Sequence, residues 1–364
     1  MTLSPTIRDT FTQEQRNAQE AQVMAHIISF GPVIFQTARL MIKYGIFELL
    51  STSEGLTEEQ IAYKTGLSRY AVKCLLEASL TIGTVIINAK TDCYSLSKTG
   101  WFVLNDPMVR VNIDFNHDVN YEGWYVLDKA MEEGIPAGLQ HFGDWPTIYE
   151  GLSSLPEHVQ KSWFSFDHYY SDNSFDEALQ IIFSNGAKHV LDVGGNTGRF
   201  ALRCVACNQD ARVTICDLPQ QIGLMQKATA GKPGSERIYG IGMNLLDATS
   251  QFPAENHYDV IWMSQFLDCF SEEEIVSILH RAAVVMDNSN RLYIMETLWD
   301  RQKYVPAAFA LTQISLYFTA LANGNSKMYN TDDMVRLINN AGLSVETIHD
   351  NLGMGGHSIL VCKK

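Results

Sequence analysis

The segment Val190-Leu191-Asp192-Val193-Gly194-Gly195-Asn196-Thr197-Gly198-Arg199-Phe200-Ala201 constrains the fold more than any other stretch of this chain. An apolar run that ends in glycines and resumes at helical spacing reads as strand, tight turn, helix. Glycine there lets the backbone turn sharply and approach a ligand closely. Further strand candidates lie at 212–216, 237–241, 258–263, 291–295, 344–348 and 358–362, after the first at 189–193, and helical patterns fill most of the gaps. Strands alternating with helices predict an α/β fold, a largely parallel sheet covered on both faces.

The glycine spacing narrows the ligand. A dinucleotide turn of the form G-x-G-x-x-G starting at Gly194 would need glycine where Asn196 and Arg199 stand, and no Gly-Lys-Ser/Thr follows for a triphosphate loop. Neither a pyrophosphate nor a triphosphate suits this turn. Asp192, two residues before the first glycine, suits a ligand with positive charge, and S-adenosylmethionine (SAM) carries both an ammonium and a sulfonium. Asp217 ends the second strand candidate, about 20 residues beyond the glycine turn, where an acid is placed to bind ribose hydroxyls. The plainer reading makes Asp192 a turn residue and Asp217 a helix cap.

The chain of 364 residues exceeds one ordinary core, and 46% hydrophobic with 19% charged residues is a packed globular composition. Residues 12–50 carry apolar side chains at helical spacing, punctuated by Gly31-Pro32, with more apolar surface than one wet face needs. Part of it should bury against another surface, such as a partner chain. Thr57 with Gln60 forms a capping-box pattern, Ser68 starts a second helix, and Gly83 stops it. Two short strands follow at 85–87 and 93–96. A helix-turn-helix with a wing suggests DNA recognition. However, the second helix lacks the Arg/Asn/Gln set that reads base edges, and a formal net charge of −14 with no basic patch disfavours nucleic acid. Packing or dimerisation is the expected role. Residues 106–182 read as short helical pieces, cut by Pro136, Pro146 and Pro156 and rich in aromatic rings that suit a substrate cavity. The expected domains are therefore 1–105, helical and winged-helix-like; 106–182, a helical linker contributing to the cavity; and 183–364, the catalytic sheet domain.

The seven cysteines show no disulfide spacing, and Cys204-x-x-Cys207 lacks partners for a metal, so reduced thiols, no metal and a cytoplasmic location are expected. The polar N-terminus is no signal peptide, and no apolar run was expected to approach the ~18 residues of a membrane span.

From about residue 20 to the end, the sequence resembles the SAM-dependent O-methyltransferase family that includes caffeic acid and hydroxyindole O-methyltransferases and bacterial tailoring enzymes. LDVGGNTGRFA resembles the family's first SAM motif and Cys216-Asp217-Leu218-Pro219 its second. The resemblance implies a Rossmann-like catalytic domain, a winged-helix dimerisation domain in front of it, and a homodimer. It implies cofactor contacts from Gly194, Gly195, Gly198, Asp217 and Leu218, with Asn244 and Leu245 at adenine (Met243 if the register is one residue off). Ser264 and Gln265 would flank the cofactor, and Tyr170 and Ser174, in Phe166–Ser174, would cover it.

The catalytic pattern departs from the family. Its general base is a His held between two carboxylates. Matching Ser271-Glu272-Glu273 to the family's Ser-Asp-Glu puts Asp268 at the His position; Glu296 matches the first carboxylate and Tyr329 falls near the second. Three accounts stay open. Asp268 serves as base beside Glu296, its pKa raised by burial and by that neighbour. Or the substrate ionises in solution and the site positions it, with Tyr329 as a hydrogen-bond partner. Or the chain does other chemistry on the same cofactor, as decarboxylating or hydroxylating relatives do. His168, among aromatics in the covering segment, is the best histidine outside the motif. The expected activity is O-methylation of a small, aromatic acceptor. The alternatives are a SAM-sensing winged-helix regulator or a non-methylating SAM enzyme.

Overall fold

The computed structural model describes residues 5–254 and 257–364. Two compact units divide the chain. One spans Glu14–Asp118; the other joins the N-terminal residues up to Gln13 to Val119–Lys364. Residues 119–182, expected as a linker, thus belong to the same unit as the sheet.

In the smaller unit, the helices Ala18–Ser29 and Gly31–Lys43 meet at a 76° bend, with Pro32 in the first turn of the second, where its missing N–H costs nothing. Thr57 and Gln60 make the reciprocal capping box of the helix Glu58–Thr65. Ser68 Oγ accepts from the Ala71 N–H at 3.2 Å to start Arg69–Ile82, and left-handed Gly83 ends it. The strands β1 (Val85–Asn88) and β2 (Cys93–Leu96) pair antiparallel. Met41, Phe47, Ile61, Val72, Leu76 and Val85 form the core. Val23, Ile28, Phe30 and Val33 stay more than half exposed.

In the larger unit the seven strands are β3 (His189–Val193), β4 (Arg212–Asp217), β5 (Ile238–Gly242), β6 (Val260–Ser264), β7 (Arg291–Glu296), β8 (Ser344–Leu352) and β9 (His357–Lys363). All lie within two residues of the start predicted for them. Their order is β5-β4-β3-β6-β7-β9-β8, parallel except that β9 runs antiparallel to both neighbours. The period of two splits the side chains between faces. Leu191, Val193, Ile261 and Met263 pack against Ile275, Ile278, Leu279, Met334 and Leu337. On the other face Val190, Ile215 and Trp262 pack against Leu179, Phe200, Cys204 and Met225. The Phe200 ring stacks on Trp262 at 4.5 Å. The strand order reverses between β3 and β6, and the crevice beyond strand C-termini at such a point is where open α/β sheets bind ligands.

One expectation needs correcting. Val305–Ala322 is a continuous helical stretch of 18 residues with mean hydropathy 1.4, as long and apolar as a membrane-crossing helix, and 44% of it is buried. Its apolarity comes from packing in this unit, where Leu311, Ile314, Tyr317, Phe318 and Leu321 are buried.

Candidate active site

The turn after β3 is built around two acids. Gly194 has φ +77°, and its N–H donates to the Cys216 carbonyl at 2.9 Å, closing the turn onto β4. A Cβ at Gly194 would sit 2.3 Å from Phe266 Cδ2, and one at Gly195 would sit 2.7 Å from Asp192 Oδ2, so neither position has room for a side chain. Asp217 accepts from the Asn196 N–H at 2.8 Å and from the Leu218 N–H at 2.7 Å. Burial raises its carboxyl and those two N–H groups partly offset the rise. Asp192 is 3% exposed and its Oδ2 has no partner. Burial, then the Asp217 charge, pushes its carboxyl up to about 8. A buried, unsatisfied carboxylate oxygen is costly unless a ligand supplies charge or a donor.

These groups open onto a cavity of about 430 Å³. Tyr170, Asp192, Gly194, Gly195, Asp217, Leu218, Asn244, Leu245, Ser264, Gln265 and Asp268 line it, as does Met243. Three predicted site residues are absent from its wall. Gly198 packs behind the turn, where an added Cβ would meet Met225 at 2.9 Å. Ser174 is fully buried and donates its hydroxyl to the Ser171 carbonyl at 2.8 Å, closing the end of the covering helix. Glu296 is 3% exposed at the end of β7, and Oε1 accepts from the Phe266 and Leu267 N–H groups at 3.1 and 2.9 Å. It holds the loop that carries Asp268 and does not face the cavity.

Asp268 sits on a 3-10 turn, Leu267–Cys269, 5% exposed. Burial pushes its carboxyl up to about 7, although the Cys269 thiol, donating at 3.5 Å, works the other way. Glu296 is also pushed well above the ordinary carboxyl range, by burial first and then by the charge of Asp268. The Tyr329 hydroxyl is spent on the Phe270 carbonyl at 2.8 Å, and Tyr329 does not line the cavity; it braces the loop rather than meeting a substrate. Asn323 Nδ2 adds a third brace on the Cys269 carbonyl at 2.6 Å.

His168 does line the cavity, with Nε2 buried and unpartnered; burial, then Arg199, lowers its pKa. Beside it is a residue that sequence reasoning passed over. Asp167 faces the same cavity, its carboxyl raised to about 7 by burial, then by Asp172 and Asp268. Also missed was Arg281, on the helix Glu272–Val284 and 5% exposed. It donates to the carbonyls of Leu245 at 2.6 Å and of Asp247 and Ser250 at 3.2 Å, shaping the segment that holds Asn244 and Leu245. Its only sequence signal was a lone Arg in an otherwise apolar helix stripe. Gln265 has φ +48°, strain that marks functional turns, and its side-chain oxygen is buried without a partner.

A glycine turn without room for side chains, an orphaned acid at the end of β3 and a second acid at the end of β4 fit SAM. Such a site on a seven-stranded sheet with one antiparallel strand defines a Rossmann-like SAM-dependent enzyme. Family models agree: residues 22–94 match a Dimerisation2-like domain and residues 169–344 an O-methyltransferase domain. The L-tyrosine C(3)-methyltransferase of Streptomyces lavendulae is 23% identical over 346 residues, covering 93% of this chain and 91% of that one. The solved structure of the SAM-dependent methyltransferase SibL in its apo form superposes with TM-score 0.70 at 22% identity, covering 93% of this chain and 98% of that one. The O-methyltransferase NcsB1 from neocarzinostatin biosynthesis, in complex with SAM and 2-hydroxy-5-methyl naphthoic acid, superposes with TM-score 0.64 at 19% identity, covering 90% and 95%. The chain belongs to the SAM-dependent O-methyltransferase family with an N-terminal dimerisation domain, and it is a methyltransferase of small molecules.

Proposed function

We propose that this protein methylates the phenolic oxygen of a small aromatic acceptor, as a cytoplasmic homodimer joined through its winged-helix-like N-terminal unit. The observation that carries the reading is a single cavity lined both by the glycine turn, Asp192 and Asp217 and by Asp268 and a set of aromatic rings. When bound, SAM supplies a methyl group already activated by the sulfonium. Asp192 and the backbone at Gly194 and Gly195 would hold the amino-acid part and Asp217 the ribose. Asn244 and Leu245 would hold adenine, with Leu218, Ser264 and Gln265 flanking and Tyr170 covering. Gly198 and Ser174 would act by shaping the turn and the covering helix.

The acceptor hydroxyl, with an ordinary phenol pKa near ~10, gains from a base. Asp268 is placed to take that proton, and a carboxyl raised to about 7 is better matched to the task than an ordinary one. Glu296 positions it through the backbone. The dimer reading is supported by the exposed Val23, Ile28, Phe30 and Val33 on the first helices, apolar surface that a second copy would cover. Seven free thiols suit a reducing compartment.

The test is incubation with methyl-labelled SAM and a small-molecule extract of the source cells. Label should pass to an extract compound in step with S-adenosylhomocysteine. SAM that binds while neither product forms, with acceptor present, would defeat the reading. One observation favours a second outcome, methylation at ring carbon: the relative named for L-tyrosine C(3)-methylation aligns over nearly the whole chain. A phenolate can react at oxygen or at the adjacent carbon, so removal of the hydroxyl proton activates both; attack at carbon then also sheds the ring proton, with the oxygen reprotonated, to restore aromaticity, and NMR of the labelled product distinguishes the two.

A further inference from the structure

The cavity carries two carboxyl groups, Asp167 and Asp268, with no ion-pair partner among the described residues. Among the described residues lining the cavity, Arg199 is the one Lys or Arg, and it is ion-paired with Asp172. His168 is held toward its neutral form by burial and by Arg199. The carboxylate of Asp167, on the helix Glu157–Ser171, accepts no hydrogen bond among the described residues. Asp268, on a different element, has the Cys269 thiol and its own backbone N–H, and no cationic partner among the described residues. Both line the same cavity, and after burial the charges of Asp172 and then Asp268 raise Asp167, against a smaller lowering by Arg199. Around them stand Tyr149, Trp163, Phe166, Phe270 and Tyr317, whose ring faces also favour a cation. Trp163 and Tyr317 are locked together by an indole-to-hydroxyl hydrogen bond of 2.8 Å, so this aromatic wall is preformed.

The positive charge of the cofactor does not account for this pair. Asp192, its Oδ2 orphaned in the glycine turn, already answers it. A base alone needs one carboxylate, and Asp268 fills that role. We infer that the acceptor is a cationic aromatic molecule, a phenol bearing an ammonium group, and that Asp167 receives the ammonium while Asp268 faces the hydroxyl. Two carboxyls lining one partly dry cavity ionise together more readily when a cation sits with them, and a phenol with a short aminoalkyl arm supplies that cation together with a ring for the aromatic wall.

The inference rests on the methyl-transfer reading and is tested without turnover. The protein is saturated with S-adenosylhomocysteine and titrated calorimetrically with tyramine and with its neutral isostere para-propylphenol. Tyramine should bind at least about tenfold more tightly, a difference of ~1.4 kcal/mol. Asp167→Asn should abolish that preference, leaving affinity for para-propylphenol and for S-adenosylhomocysteine unchanged, and Asp167→Glu should restore part of it. Equal affinities in the wild type, no tyramine binding, or a preference that survives in Asp167→Asn would each overturn the cationic acceptor. Failure of S-adenosylhomocysteine itself to bind would instead defeat the methyl-transfer reading.

Discussion

Glu296 offers the sharpest test of how the site is held. Its Oε1 takes two backbone N–H groups, at 3.1 and 2.9 Å, in a position 3% exposed. Glu296→Ala leaves both donors buried without an acceptor. Each orphaned group costs about 1–3 kcal/mol, so the variant should lose about 2–6 kcal/mol of stability. For a unit of this size that lowers Tm by on the order of 4–20 °C. Glu296→Gln behaves differently. Burial already drives the carboxyl toward its neutral form, and an amide keeps an oxygen where Oε1 stands. Gln should therefore retain most of the stability and most of the activity. The assay is thermal and urea denaturation of both variants, alongside methyl transfer once an acceptor is in hand. If Gln is as damaging as Ala, the charge of Glu296 is what matters, and its assignment as a brace on the backbone of the Asp268 loop is wrong.

Asp217→Ala removes the acid at the end of β4 and should weaken SAM binding tenfold or more, on the order of 1–3 kcal/mol for a lost charge-assisted hydrogen bond; an unchanged dissociation constant sinks the ribose assignment. Arg281→Met strips donors from the carbonyls of Leu245, Asp247 and Ser250 and should weaken S-adenosylhomocysteine binding, with Lys recovering part of it; calorimetry decides, and unaltered affinity would show that the adenine segment does not depend on this clamp. Gly195→Ala pushes a methyl against Asp192 and should cost about 1–3 kcal/mol of stability, read by urea denaturation, and a neutral result would mean the turn has slack. The folded protein holds protons on Asp192 up to about 8 and on Asp167 and Asp268 up to about 7, where the unfolded chain has released them. Stability of the ligand-free protein should therefore fall as pH rises from about 4 through about 8. Asp192→Asn should flatten the upper part of that fall in urea midpoints, and a wild-type profile that rises across the window would contradict the burial argument.

The sheet was legible because strands buried on both faces leave continuous apolar runs, as in Val260–Met263, and because glycines at 194 and 195 signal a turn too tight for side chains. The cofactor end of the site was legible for the same local reason: Asp192 and Asp217 sit at fixed offsets from that turn. The catalytic end was not. Glu296 and Tyr329 looked like substrate-facing groups because a linear motif cannot show which way a side chain turns; Glu296 Oε1 and the Tyr329 hydroxyl are both taken up by backbone groups of 266–270, and Glu296 Oε2 stays buried without a partner. Asp167 was overlooked although its neighbours were singled out, since its meaning depends on Asp268, about a hundred residues away and brought near only by the fold. The length of Val305–Ala322 misled in the opposite sense, since the sequence there is interrupted by Thr312, Gln313 and Ser315 while the helix is not.

The loop 266–270 hangs from three anchors, Glu296 on β7, Asn323 and Tyr329, and none of them comes from the aromatic segment 146–170 that forms the opposite wall. The backbone of the loop is therefore held independently of that segment, although Tyr149 reaches the Cys269 side chain beside Asp268. Substitutions at Trp163 or Asp167 can widen or recharge the acceptor pocket while the loop backbone stays where Glu296, Asn323 and Tyr329 fix it. A collection of variants confined to Trp163 and Asp167, with Tyr170 on the same helix kept as the cover of the methyl donor, is thus the economical route to a new acceptor.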